Sequence, residues 1–140
     1  MKVGAGIELF ADNAVKPTTS TWTIASDIQF KEDIQDADLQ RCADDISTLQ
    51  LMRFKWKDDY ITKYNVKDHH TLGFIAQDVQ TKFPKSVDTV VEKDEVNDTE
   101  SSRLGLDYHA INMSLIGAVQ YLIKENQLLQ DRISVLESRV

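Results

Sequence analysis

The sequence predicts an α+β fold: a small mixed helix/strand domain with an N-terminal extended segment and a long C-terminal helix built for self-association. Three patterns carry that prediction: apolar residues at helical spacing between Asp36 and Leu51, a period-two alternation from Met52 to Trp56, and a heptad seam from Leu115 to Val140. With 140 residues, of which 41% are hydrophobic and 28% charged, the chain is long enough for one compact domain plus an extension.

Residues 1 to 25 are light in charge and end in the run Thr18, Thr19, Ser20, Thr21, Trp22, Thr23, Ile24, Ala25. β-Branched residues favour extended chain, and Pro17 disfavours a helix before them. A segment this short cannot bury a core alone, so it reads as the end of something larger upstream. From Asp36 to Leu51, Ala37, Leu39, Cys42, Ala43, Ile46 and Leu49 make one apolar face, which predicts an amphipathic helix. Met52, Phe54 and Trp56 then alternate with Arg53, Lys55 and Lys57, predicting a half-buried strand with a basic outer face and a turn at Asp58 and Asp59. A second strand is expected over Tyr60 to Val66 and a loop over Lys67 to His70. A short strand through Leu72 to Ile75 should lead into a helix at about Gln77 to Phe83, stopped by Pro84. Residues 92 to 103 hold one strong hydrophobe, Val96, and read as an exposed, mobile excursion: functional, disordered, or an arm laid on a partner.

After Tyr108 the apolar residues recur in alternating steps of four and three. Leu115, Leu122, Leu129 and Leu136 take position d of a heptad, and Val119, Asn126, Ile133 and Val140 take a, with no Pro or Gly on the seam. Arg132 at g would face Glu137 at e of a parallel neighbour. A helix packed only on its own domain does not require such regularity, so the seam points to self-association. β-Branched a residues, Leu at d and one Asn at a favour a parallel dimer on these rules alone, with a trimer open where other parts of the chain impose it.

Composition excludes several functions. A net charge of −7, with no block of consecutive Lys or Arg, leaves no electrostatic footprint for nucleic acid or an anionic membrane. No apolar run approaches the roughly 20 residues that span a bilayer, and the first residues lack the form of a signal peptide, so the chain reads as soluble and unaddressed. One cysteine, Cys42, cannot form an internal disulfide; with His only at 69, 70 and 109 there is no metal-ligand spacing. Neither metal nor cofactor is expected. His69 and His70 fall in a polar loop and His109 before a helix, where a solvent-exposed or capping role suffices. No phosphate loop, Gly-x-Ser-x-Gly elbow or His-Glu-x-x-His motif occurs.

That leaves Ser26, Asp27, Ile28, Gln29, Phe30 and Lys31. Ser26 with Gln29 fits a capping box, with Asp27 suited to the positive end of a helix. The same residues fit a Ser/Lys pair, in which a neutral Lys31 takes the hydroxyl proton and makes Ser26 a nucleophile. The two readings conflict. Five positions along a continuous helix rotate a side chain by about 140°, so a dyad needs a turn between the two residues or a Lys31 from a neighbouring chain.

The order of motifs resembles the C-terminal intramolecular chaperone domains of phage tailspikes and tail fibres, of endosialidase type, also present in the myelin regulatory factor class. Ser26 to Lys31 is similar to that family's Ser-Asp-x-x-(apolar)-Lys cleavage motif. Gly73, Phe74, Ile75, Ala76, Gln77, Asp78 and Val79, with Phe83 and Pro84, resemble its Gly-x-Ile-Ala-Gln-(acid)-Val and Phe-Pro segment. Leu106, Asp107 and Tyr108, followed by Ile116 to Gln120, resemble its entry into the terminal helix. The resemblance covers residues 26 to 140.

It implies a self-cleaving serine endopeptidase that acts once, in cis. Three chains assemble through the seam with Asn126 at the axis, overriding the dimer preference. They assist folding of an upstream β-structured fibre, and the Ala25–Ser26 bond is then cut with Ser26 as nucleophile and Lys31 as base. The implied division is 1–25 as the released end of the fibre, 26–108 as the chaperone and autoprotease domain, and 109–140 as the trimerising helix. The implied partners are two further copies and the chain's own upstream segment, with no nucleic acid and no membrane insertion. The implied setting is the host cytoplasm during virion assembly, with the upstream part in the virion tail or fibre. The rival is a non-catalytic trimerisation module in which Ser26 caps a helix; a coiled-coil adaptor without a fibre leaves the N-terminal segment unexplained.

Overall fold

The computed structural model describes residues 17–18, 23–94 and 96–140, which fall in two compact units, 1–35 and 36–140. Most of the extended segment expected over residues 1 to 25 lies outside the described residues; Thr23, Ile24 and Ala25 carry neither helix nor strand. In the first unit the one regular element among the described residues is a 3-10 turn, Ile28–Phe30.

The second unit begins with α1, Leu39–Thr48. Asp38 sets its start: the carboxylate Oδ1 accepts from the Arg41 backbone N–H at 3.0 Å, satisfying a first-turn donor that has no helical partner. Strand β1, Met52–Lys55, pairs antiparallel with β2, His70–Gly73, with Met52 opposite Gly73 and Lys55 opposite His70. The Trp56 N–H extends the ladder by donating to the His69 carbonyl at 2.9 Å. Phe54 is half-buried, while Met52 is exposed at the sheet end.

Between these strands lies a helix, α2, Asp58–Tyr64, in place of the expected turn and second strand. Asp58 and Asp59 sit in its first turn and Lys63 in its last, each sign matched to the helix dipole. Asn65 ends it in the left-handed region at φ 50°. Tyr60 and Tyr64, one turn apart, pack with ring centroids 4.6 Å apart, and Trp56 stacks on Tyr60 at 4.6 Å. This aromatic packing outweighs the strand propensity of Tyr, Ile and Thr.

The next helix, α3, spans Ala76–Gln80 and so ends before the expected limit at Phe83 and Pro84; Phe83 leads instead into a 3-10 turn, Pro84–Ser86. Residues 92–94 and 99–103, within the stretch expected as an exposed, mobile excursion, instead belong to a regular hairpin: β3, Val87–Asp94, and β4, Thr99–Leu106, pair antiparallel along their whole length. Few of these residues are buried, but the hairpin draws on backbone pairing and cross-strand charges rather than on apolar area. Asp94 closes its end, accepting from the Val96 N–H at 3.0 Å and the Asn97 side chain at 2.8 Å.

The long helix α4, His109–Glu137, completes the unit and is roughly 43 Å long at 1.5 Å per residue. Val79, Phe83 and Ile111 form the buried core, with Ile46, Leu49, Phe74, Val87, Leu106 and Ala110 packed around them. Helix α1 lies along α4 where Gly117 and Ala118 are buried; the small residues let the two backbones approach. Tyr121 is half-covered, and from Leu122 onward every residue of α4 is exposed.

Candidate functional site: the Ser26–Lys31 turn and the exposed helix seam

The six residues from Ser26 to Lys31 fold into one tight turn. Asp27 is extended at φ −68° and ψ 137°, three residues follow in 3-10 geometry, and Lys31 is extended again at φ −124° and ψ 142°. The Phe30 N–H donates to the Asp27 carbonyl at 3.1 Å and the Lys31 N–H to the Ile28 carbonyl at 3.0 Å. The chain therefore doubles back, and Lys31 Nζ lies 2.7 Å from Ser26 Oγ, donating to it. A five-residue spacing that a continuous helix would hold apart becomes a hydrogen-bonded pair. Ser26 does not cap this turn; Asp27 does, with its side chain accepting from the Gln29 N–H.

Ala25, Ser26 and Lys31 are all exposed. In this state the lysine is the donor and the serine oxygen the acceptor. Nucleophilic attack requires the reverse: the Ser26 hydroxyl must donate to a neutral Nζ.

The seam residues lie on α4 along the face that α1 leaves open. Leu115, Val119, Leu122, Leu129, Ile133 and Leu136 are each about half exposed or more, and Val140 is at the free end. Asn126 lies among them at an a position and is also exposed. Ile116 and Ile123, at e positions, are exposed too and widen the strip into a broad apolar face.

A charged cluster that the sequence reading did not single out ties α2 to the hairpin. Glu92 of β3 accepts from the Tyr64 hydroxyl at 2.6 Å, from Lys63 Nζ at 2.9 Å and from Arg103 Nε at 2.8 Å. The Tyr64 hydroxyl, Arg103 and Lys63 together hold the Glu92 carboxyl down at about 2. The same bonds raise Lys63 and Arg103 above their ordinary values. The available sequence signals were the one-turn spacing of Tyr60 and Tyr64 and the opposite charges of Glu92 and Arg103. Cys42 is a free thiol, half-buried on α1. No helix among the described residues is long and apolar enough to cross a membrane.

Comparison with known proteins places this geometry in context. Residues 26–88 match the model of a peptidase family described as chaperone of endosialidase, and the match begins at Ser26. Myelin gene regulatory factor-like A of Dictyostelium discoideum is 27% identical over 119 residues, which cover 82% of this chain. The chain spans only 13% of that relative's length.

Proposed function

We propose, from the match of residues 26–88 to the chaperone of endosialidase family, that this chain is an intramolecular chaperone that trimerises, assists folding of an upstream β-structured fibre, and then releases itself by cutting the Ala25–Ser26 bond. The family match supports the chaperone role. The single observation that carries the cleavage step is the 2.7 Å hydrogen bond between Lys31 Nζ and Ser26 Oγ, at the residue where the family match starts.

The chemistry balances within the chain. Neutral Lys31 takes the hydroxyl proton as Ser26 Oγ attacks the Ala25 carbonyl carbon through a five-membered ring. The C–N bond breaks, the Ser26 nitrogen leaves as an amine with the proton returned by Lys31, and an Ala25 ester on Oγ remains. Water hydrolyses that ester to an Ala25 carboxylate and a free Ser26 hydroxyl. Proximity within adjacent residues supplies much of the acceleration. Burial of Lys31 on assembly would disfavour its charged form and so gate cleavage.

Assembly is supported by what a single chain leaves uncovered. Its core comprises few buried apolar side chains, while the α4 seam stands in water. The e-position isoleucines, Ile116 and Ile123, make the face wider than a two-stranded seam needs, which favours three chains over two. A trimerising helix raises local concentration and aligns three ends of a slow-folding, non-local β-structure, and cleavage then removes the template for unfolding.

The test is the intact mass of the purified protein beside Ser26→Ala and Lys31→Ala variants, with sedimentation to give the assembled mass. A wild-type fragment beginning at Ser26, absent from both variants, is expected. Full-length wild type with a trimeric mass would leave the non-catalytic trimerisation module, and a monomeric mass would overturn assembly through the seam.

A further inference from the structure

We propose that Asp27 is a positioning residue for the Ser26–Lys31 pair, holding closed the turn that carries the lysine back to the serine. The inference rests on the self-cleavage reading above and assigns Asp27 a part in it.

The turn has little else to hold it. Its apolar side chains, Ile28 and Phe30, are 72% and 74% exposed, so neither anchors it by burial. Its two backbone hydrogen bonds are solvent-exposed and close only three residues of 3-10 geometry, a conformation seldom stable in isolation. Asp27 adds a two-oxygen grip. Oδ1 accepts from the Gln29 backbone N–H at 3.0 Å, and Oδ2 from the Gln29 side-chain Nε2 at 3.1 Å. Apart from the Ser26–Lys31 bond itself, these are the side-chain hydrogen bonds of the turn among the described residues. They fix Asp27 in the extended conformation from which the turn springs. Ser26 is its immediate neighbour, and Lys31 lies directly after the turn. Loss of the grip lets the chain open or run on as helix, and either outcome parts Nζ from Oγ.

Asp27 makes no ion pair with Lys31 within 4.0 Å among the described residues. Its influence on the lysine therefore passes through backbone geometry, which makes hydrogen-bonding capacity, rather than negative charge, the property that matters. Asn keeps that capacity: its oxygen can accept from the Gln29 N–H, and Gln29 can rotate its amide to meet the Asn NH2.

The experiment follows cleavage of the full chain over time by intact mass for wild type, Asp27→Ala, Asp27→Asn, Ser26→Ala and Lys31→Ala, with the assembled mass of each by sedimentation. Asp27→Ala is expected to cleave at least about tenfold more slowly, since small misplacements of reacting groups carry penalties of that order. Asp27→Asn should stay within about threefold of wild type, and all five should assemble alike. In the uncleaved Ser26→Ala background, adding Asp27→Ala should reduce hydrogen-exchange protection of the Gln29 amide. Wild-type cleavage abolished by Ser26→Ala and Lys31→Ala but unchanged in Asp27→Ala overturns this proposal alone. Asp27→Asn as slow as Asp27→Ala also overturns it, by showing that the charge matters. No wild-type cleavage overturns the underlying reading and this one with it.

Discussion

Gly117 of α4 faces Cys42 of α1 so closely that a Cβ on the glycine would lie 2.7 Å from the Cys42 Sγ and 2.9 Å from its Cβ. The Sγ could turn aside, but the Cys42 Cβ is fixed to the α1 backbone and cannot, so an added methyl must push the helices apart. Gly117→Ala is expected to lower unfolding free energy by about 1–3 kcal/mol, the usual cost of overpacking, despite alanine's better helix propensity. Thermal or denaturant unfolding reads this, and adding Cys42→Ala should recover part of the loss by removing the sulfur. A Gly117→Ala protein as stable as wild type would show that the helices are free to separate.

Ser86 presents the opposite case. It is 1% exposed and its Oγ has no hydrogen-bond partner among the described residues, although its backbone is fully used: the N–H donates to Phe83 and the carbonyl accepts from Asp107. A buried hydroxyl without a partner costs stability that a methyl group does not. Ser86→Ala is therefore expected to raise unfolding free energy by about 1 kcal/mol. A loss of stability in the same unfolding measurement would mean that the hydroxyl has a partner in the folded protein.

How far these features could be read in advance depended on what the local pattern contained. The α1 and α4 helices were legible because their apolar residues repeat at helical spacing, and the observed faces follow that spacing. The helix over Asp58 to Tyr64 was not, because Tyr60, Ile61, Thr62 and Tyr64 are strand formers taken singly; their stabilising contacts are the one-turn Tyr60–Tyr64 packing and the stack on Trp56, a residue outside the helix. The hairpin arm was misread because low hydrophobicity was taken for lack of structure. Its order comes from register, which places Glu92 opposite Ser101 and Arg103 opposite Val90, so that the two charges meet diagonally across the pair. At the Ser26 turn the residue types were legible but the conformation was not. Ser26 and Asp27 are both good caps, and local sequence does not say which one takes the position.

The three-donor grip on Glu92 makes part of the fold acid-sensitive. Its carboxyl is held at about 2, against an ordinary 4.5, first by the Tyr64 hydroxyl and then by Arg103 and Lys63. A depressed carboxylate contributes stability fully above its unfolded value. That contribution falls away as pH drops below about 4.5 and is gone once pH passes below about 2. Glu92→Gln should flatten this part of the pH dependence of unfolding between pH 5 and 2, and Tyr64→Phe should weaken it. Hydrogen exchange of β3 and β4 amides should rise in both variants at neutral pH. An unchanged acid limb in Glu92→Gln would assign it to other carboxylates, Asp94 first, since its side chain is also lowered by the Asn97 side chain and by backbone donors.

The exposed seam makes the most direct demand on solution behaviour. Leu129 lies near the middle of the free part of α4, 53% exposed, with Asn126 one turn before it. Leu129→Asp places a charge in the centre of a proposed three-chain interface, where it would be desolvated without a partner. It should convert the assembled mass to a monomeric one and, on the proposed mechanism, abolish release of the fragment beginning at Ser26 without touching Ser26 or Lys31. Asn126→Ile should act in the other direction, raising thermal stability while loosening register and chain number, because a polar a residue trades stability for a defined pairing. Sedimentation at several concentrations, read beside the intact mass, separates the outcomes. Cleavage that persists in monomeric Leu129→Asp would show that the Ser26–Lys31 turn acts without assembly and would remove burial of Lys31 between chains as the gate.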